Sequence, residues 1–133
     1  EIYSLAAAKA AIQIYRNEPV AEYIWRLGEK LRSGIDSLCR HFGISAECKG
    51  PPFRMALMFK EKNPDIFRLK KTLYIQELLK EGVVTANSVM LPSYAHDEAT
   101  LEKTLSAIGA ALEVVAKAEK TNSYDQFIEI PLL

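Results

Sequence analysis

The chain has 133 residues, of which 49% are hydrophobic and 26% are charged, a composition typical of one globular, soluble domain. Its 17 basic and 17 acidic side chains cancel, which argues against a nucleic-acid-binding protein because such proteins carry a basic excess. No apolar run approaches the roughly 20 residues that a membrane helix needs. Two cysteines, Cys39 and Cys48, make no disulfide framework and favour a reduced, cytoplasmic protein.

The first two predicted elements are helices. Residues 4–15 are rich in alanine, the strongest helix former, and their small side chains would let this helix approach a neighbour closely. Pro19 interrupts it and is tolerated in the first turn of a second helix, predicted over residues 19–41. The second helix carries one apolar stripe with a spacing of three and four residues. Gly43 is placed to end it.

Two strands are predicted next. Residues 44–49 alternate apolar and polar side chains with the period of two that a strand shows. The Gly50-Pro51-Pro52 corner is stiff, because proline fixes its own φ and restricts the residue before it. Residues 53–60 alternate again, with Phe53 at the start of the more apolar face.

A helix and short strands follow. Asn63 is placed to cap a helix that Gly82 ends. Residues 83–85 and 89–91 are short apolar runs that are candidates for strands. The spacing between them is too short for another helix.

The last regular element is a helix over residues 97–116, with Asp97 as its cap and a buried stripe. Residues 121–133 show no period and are interpreted as a tail. The order of elements predicts an α+β fold, in which a small, mostly antiparallel sheet is covered by helices in two layers and is preceded by long helices. Residues 1–120 are predicted to form one domain.

Arg54 is the charged residue with the most specific functional expectation. It follows the rigid corner and begins a strand made otherwise of apolar residues, so its guanidinium could clamp a carboxylate with two hydrogen bonds. The alternative is an arginine that pairs with a surface acid or an interdomain partner.

Other candidate sites are incomplete. Cys39 and His41 are two residues apart on a helix and therefore point to different faces. Ser93, Tyr94 and His96 lie in a corner where they could border a ligand or simply pack. Two histidines and two cysteines without ligand spacing predict no metal site, and the scattered glycines form no phosphate-binding loop.

Three stretches, in this order, resemble class III aminotransferases that use pyridoxal phosphate, especially the glutamate-1-semialdehyde aminomutase branch. Residues 4–11 are similar to the alanine-rich helix that leads out of the family's large domain. Residues 73–83 resemble its helix-Leu-x-x-Gly-Val stretch, and residues 92–97 resemble the aminomutase branch's Ser-Leu-Ala-His-Thr corner. Many other class III transaminases carry an arginine a few residues before the matching proline, whereas this chain has Ser88.

The resemblance implies the small carboxyl-terminal domain of such an enzyme, with residues 1–18 as the linking helix from a missing large domain. In the family, the Schiff-base lysine, the acid on the pyridine nitrogen and the phosphate cup lie in the large domain. It therefore implies no catalytic, cofactor-binding or metal residue in this chain, and pyridoxal phosphate only in the parent enzyme. Arg54 becomes the candidate substrate-binding residue. Taken together with this resemblance, a chain that starts at Glu1 rather than at methionine favours a fragment of such an enzyme.

The resemblance also implies a homodimeric parent with an amino-acid-like substrate. The alternative is a self-standing α+β binding or dimerisation module without catalysis, in which the stripes of helices 19–41 and 97–116 form a homodimer. An independent enzyme is disfavoured because no complete active site is present. The fragment hypothesis makes a structural prediction: residues 4–15 should expose apolar surface, because that helix would have lost its partner.

Overall fold

The computed structural model describes all of residues 1–133. Its helices are α1 (Ile2–Asn17), α2 (Val20–Phe42), α3 (Pro64–Lys80) and α4 (Glu98–Thr121), and its strands are β1 (Ala46–Lys49), β2 (Met55–Phe59) and β3 (Val89–Met90). A short 3-10 helix, Tyr124–Gln126, follows α4. None of the helices combines the length and the apolar character that crossing a bilayer requires.

The predicted helix boundaries are confirmed at three caps. Gly43 ends α2 in the left-handed conformation, with a φ of 69°. The Asn63 side chain accepts a hydrogen bond from the backbone N–H of Asp65 at 2.9 Å, at the start of α3. Asp97 does the same for Thr100 at 2.8 Å, at the start of α4. Each cap satisfies backbone groups that a helix end leaves without a partner.

The sheet has the order β1-β2-β3, and both strand pairs are antiparallel. Ala46 lies opposite Phe59, and Met55 lies opposite Met90. The predicted α+β class with a small antiparallel sheet is therefore confirmed. Residues 83–85, however, form no strand, because only the single bridge between Ala86 and Val89 joins this segment to the sheet.

The helices cover one face of the sheet. Helix α4 packs between α2 and α3, while α2 contacts β1 and α3 contacts β2. On β2, Met55, Leu57 and Phe59 are buried, and Met58 on the opposite face is 36% exposed. Phe53 was predicted to share the buried face but is 46% exposed. It precedes β2 in a turn, where the alternation of a strand does not yet apply.

The core is built from the stripes that the sequence predicts. The large aliphatic side chains near the middle of the two stripes are at most 9% exposed: Leu27, Leu31 and Ile35 of α2, and Leu101, Ile108, Leu112 and Val115 of α4. All seven belong to one buried cluster. The stripes therefore face each other within the chain, and they are not available for the homodimer that the alternative hypothesis builds from them.

Residues 121–133, interpreted from sequence as a tail, are packed along α3. The amide of Gln76 donates to the Phe127 carbonyl at 2.9 Å and accepts from the Glu129 backbone N–H at 2.7 Å. Tyr124 is 5% exposed and belongs to the core. The segment is held by isolated polar and apolar contacts rather than by a stripe, and such contacts leave no periodic pattern.

A buried lysine joins α3 to α4. Lys70 donates to Glu119 at 2.7 Å and to Glu61 at 3.2 Å, and its side chain is 6% exposed. Burial alone would lower the pKa of Lys70, but the hydrogen bonds to the two carboxylates outweigh it and raise that pKa. The pKa of Glu61 is lowered by the backbone N–H of Asn63 and by Lys70.

Candidate functional site

Helix α1 is an apolar surface without a partner in this chain. It has no buried residue and packs only against α2. Its exposed large apolar side chains, here called the α1 surface, are Ile2, Tyr3, Leu5, Ile12, Ile14 and Tyr15, and each is at least 49% exposed. Monomeric soluble proteins rarely expose this many large apolar side chains on one short element. The predicted exposure of residues 4–15 is confirmed.

The proline corner is fixed to α2. Gly28 of α2 lies so close to the Pro52 carbonyl oxygen that a Cβ on Gly28 would sit 2.2 Å from it. Gly50 has a φ of 100°, and its carbonyl accepts a hydrogen bond from Arg32 at 2.6 Å. A side chain at position 28 would push the corner away from the helix.

Arg54 leaves this corner with a free guanidinium. Its backbone N–H donates to the Pro51 carbonyl at 2.9 Å, but its side chain is exposed and makes no hydrogen bond or ion pair. The surface-acid pairing considered for it is therefore absent. Trp25 and Phe53 pack beside the same corner, 51% and 46% exposed, with ring centroids 5.9 Å apart.

A cleft of about 540 Å³ lies between α2, the first turns of α4 and residues 82–92. Its walls include the core residues Leu27, Leu31, Met90 and Leu101, which are nearly buried. The polar residues on its lining are Thr85, His96, Thr100, Lys103 and Thr104, and no aspartate or glutamate is among the lining residues. Arg54 does not line it, so the structure separates the sequence-predicted arginine from this cleft.

The hairpin beside the cleft has a strained turn. Asn87 and Ser88 both have positive φ, 57° and 68°, although neither is glycine. The Ser88 side chain is buried, and its hydroxyl has no hydrogen-bond partner. The hydroxyl oxygen of Thr85 is also buried and also lacks a partner. Buried polar atoms normally find partners, so both hydroxyls stand out.

The corner before α4 is held by local packing. The Nδ1 atom of His96 accepts from the Ser93 backbone N–H at 3.2 Å. The His96 carbonyl accepts from the Tyr23 hydroxyl at 2.8 Å, and the rings of Tyr23 and Tyr94 meet edge to face at 5.3 Å. His96 lines the cleft, whereas Ser93 and Tyr94 do not. Ser93 and Tyr94 therefore fit the alternative in which they pack, rather than the one in which they border a ligand.

Neither cysteine is placed for nucleophilic chemistry. Cys39 is buried, and burial followed by the nearby Asp36 carboxylate raises the pKa of its thiol to about 11. The same two causes, in the same order, raise the pKa of Cys48 to about 12. Both thiols are protonated near neutral pH and are poor nucleophiles. The ring of His41 lies against Phe42, and no cluster of three or more metal-ligating side chains occurs.

The residues present do not fit pyridoxal phosphate. That cofactor needs a lysine for the Schiff base, an acid at the pyridine nitrogen and a phosphate cup. The one buried lysine, Lys70, is held by Glu61 and Glu119, and the cleft has no acid on its lining. The lining of the cleft therefore lacks the acid that this cofactor requires.

Comparison with solved structures places this fold among parts of pyridoxal-phosphate-dependent transaminases. The FumI protein of Sphingopyxis sp. MTA144, solved in its PLP internal aldimine form, superposes with a TM-score of 0.76 and 26% identity. The match covers 87% of this chain and 28% of that one. An omega-transaminase from Sphaerobacter thermophilus shows the same fold, with a TM-score of 0.63 and 17% identity over 69% of this chain and 23% of its own.

One curated protein that this chain resembles is the glutamate-1-semialdehyde 2,1-aminomutase of Halorubrum lacusprofundi. It is 26% identical, and the match covers 82% of this chain and 32% of the aminomutase. No protein-family model matches the chain. The resemblance drawn from the three motifs is thereby confirmed, and the chain spans about a third of its curated relative.

Four polar residues on the lining were not predicted as site residues: Thr85, Thr100, Lys103 and Thr104. Thr85 was interpreted only as part of a short strand, and the other three lie within the predicted last helix. The Ala86-Asn87-Ser88 stretch between apolar runs is a turn signal that points to Thr85. Nothing in the sequence places Lys103 beside residues 82–92, because that proximity depends on how α4 crosses α2.

Proposed function

We propose that this chain is the small carboxyl-terminal domain of a pyridoxal-phosphate-dependent aminotransferase or aminomutase. In the parent enzyme it closes one side of the active-site cleft, and alone it is inactive. The observation that carries this proposal is the α1 surface, a helix with six large apolar side chains exposed and none buried. The similarity to about a third of an aminomutase supports the same conclusion.

In this proposal, residues 1–18 link the domain to a large domain that covers the α1 surface. Burying a large apolar side chain contributes about 1.5–3 kcal/mol, so covering even half of this surface would contribute several kilocalories to the interface. The alanines of α1 let a second element approach closely. The same helix contributes little to the chain's own core, which is what a linking element needs.

The cofactor and its lysine belong to the large domain in this proposal. The buried lysine of this chain is already committed to two carboxylates, and so it is unsuited to a Schiff base. When bound there, pyridoxal phosphate would supply the electron sink for amino-group chemistry. We infer a cytoplasmic, homodimeric parent that acts on an amino-acid-like substrate.

Arg54 is the proposed substrate-binding residue. Its guanidinium has no partner in the chain, and the proline corner fixes the backbone from which it extends, so the side chain is free to bind a substrate carboxylate. A substrate carboxylate would receive two parallel hydrogen bonds from it. In the parent enzyme, Arg54→Lys should raise KM about tenfold with a small change in kcat, because an ammonium cannot make the bidentate contact. An unchanged KM would remove Arg54 from the substrate site.

The experiment that tests the proposed function adds pyridoxal phosphate to the purified chain. No cofactor absorption should survive dialysis, whereas the FumI protein treated in parallel should retain its cofactor. A stoichiometric cofactor, fixed onto one lysine of this chain by borohydride, would contradict the proposal that the cofactor and its lysine belong to the large domain.

A further inference from the structure

The cleft has an uneven charge. The chain carries 17 acidic residues, yet none lines this cleft, while Lys103 and His96 both do. Lys103 makes no ion pair with any carboxylate. Lys103 is exposed, so its ammonium is accessible to the anionic end of a ligand whose chain lies on the apolar floor.

Lys103 and His96 can donate hydrogens to a ligand in the cleft, whereas the hydroxyls of Thr100 and Thr104 already donate within the chain. Since Nδ1 of His96 accepts a hydrogen bond from Ser93, the neutral ring carries its proton on Nε2, which has no partner in the chain. The ammonium of Lys103 donates only. The Thr85 hydroxyl also lacks a hydrogen-bond partner. If its side chain rotated toward the cleft, the hydroxyl could donate a hydrogen bond to an oxygen of the ligand.

The floor of the cleft is apolar and already formed. Leu27, Leu31, Met90 and Leu101 are held by the core, so an entering ligand need not order them. A volume of about 540 Å³ lies within the roughly 300–1,000 Å³ usual for small-molecule sites. An apolar floor beneath donors at the rim matches a molecule with a hydrocarbon chain and one anionic end.

We propose that this cleft binds a small aliphatic carboxylate, with its chain over Leu27 and Leu31 and its carboxylate at Lys103. The site is formed entirely by this chain and does not depend on the proposed function. A polypeptide segment is the other occupant to consider, since Val84 and Leu91 on the lining are 82% and 58% exposed. The unpaired donors favour the carboxylate.

The test is a titration of the isotope-labelled chain, residues 1–133, with sodium octanoate, followed by amide chemical shifts. Shifts should concentrate at residues 83–92 and 100–104.

Lys103→Met should weaken binding about tenfold, the size of one charge-assisted hydrogen bond. Lys120→Met is the matched control, because Lys120 is another unpaired lysine of α4 and lies outside the cleft. It should change binding by less than about twofold. Thr85→Val should weaken binding about threefold.

The carbon chain without its charge supplies the second arm. Octanol should bind about tenfold more weakly than octanoate, because it cannot form the ion pair with Lys103. Equal binding of octanol and octanoate, or equal loss in Lys103→Met and Lys120→Met, would overturn the proposal. Shifts confined to α1 would also overturn it, since they would report adsorption to the exposed α1 surface. Absence of octanoate binding would overturn the proposal as well, and a polypeptide segment would then be the remaining occupant to consider.

Discussion

Helices α1 and α4 are both rich in alanine, yet they have opposite roles in this molecule. The alanines of α4 at positions 107, 111, 116 and 118 are buried against α2 and α3. The alanines of α1 have no such neighbour, and α1 contains no buried residue. Composition alone does not distinguish the two helices. The spacing of their large apolar side chains does, because only α4 gathers them into a stripe that meets another stripe.

The difference separates two kinds of apolar surface. The surface of α4 is satisfied inside the chain, so it accounts for folding. The α1 surface is not covered inside the chain, and the proposed function assigns it to an interface with the large domain. A single comparison of the two helices therefore tests both the fold and the proposed place of this domain in a larger enzyme.

The largest expected effect is in α4. Leu112 is fully buried, so Leu112→Ala should lower the free energy of unfolding by about 3 kcal/mol through lost burial and a residual cavity. Its counterpart in α1 is Leu5→Ala, where the side chain is 70% exposed. That variant should change stability by less than about 0.5 kcal/mol. Urea unfolding of both variants measures this difference. Equal losses of unfolding free energy in the two variants would contradict it.

A smaller effect is expected at the ion cluster that fastens α4 to α3. Lys70→Met should cost about 1–2 kcal/mol near neutral pH, because it leaves Glu61 and Glu119 without their shared partner. Lys62→Met serves as the control, since Lys62 lies close by and makes no ion pair.

The same cluster predicts a pH dependence with a definite sign. The lowered pKa of Glu61 contributes stability that is present above its unfolded pKa and lost as the pH falls through the folded pKa. The raised pKa of Lys70 contributes stability below its unfolded pKa that is lost as the pH rises through the folded pKa. Unfolding between about pH 3 and 6 should therefore depend less on pH in Lys70→Met than in the wild type. Parallel curves would mean that the cluster is not coupled to folding.

The smallest effect on stability is expected from removing α1 altogether. A chain that begins at Pro19 should keep its unfolding free energy within about 1 kcal/mol, because α1 buries nothing in the core. It should also bind less of a dye that fluoresces on apolar surface. A large loss of stability on truncation would make α1 part of the fold rather than an interface.

Much of the fold could be predicted because the signals were local. Gly43, Asn63 and Asp97 mark helix ends by their own chemistry, and the alternation over Met55–Phe59 reports a half-buried strand. The exposure of α1 was also predictable, because the fragment hypothesis leaves the helix over residues 4–15 without its partner.

The errors arose where distant or single contacts decide. Phe53 follows the strand alternation in sequence but lies in the turn that packs on Gly28. The carboxyl-terminal segment is fixed by Gln76, more than fifty residues away, and one polar anchor has no sequence signature. The cleft at Lys103 depends on the crossing of α2 and α4, which no local pattern specifies.

The most direct measurement mixes residues 1–133 with the large domain of the proposed parent enzyme, produced as a separate chain. Hydrogen exchange at the amides of α1 is followed before and after mixing, with α4 as the internal reference. The proposed function predicts a one-to-one complex in which α1 becomes protected while α4, already protected, changes little. A complex that leaves α1 exchanging as fast as in the isolated chain, or no complex at all, would contradict it.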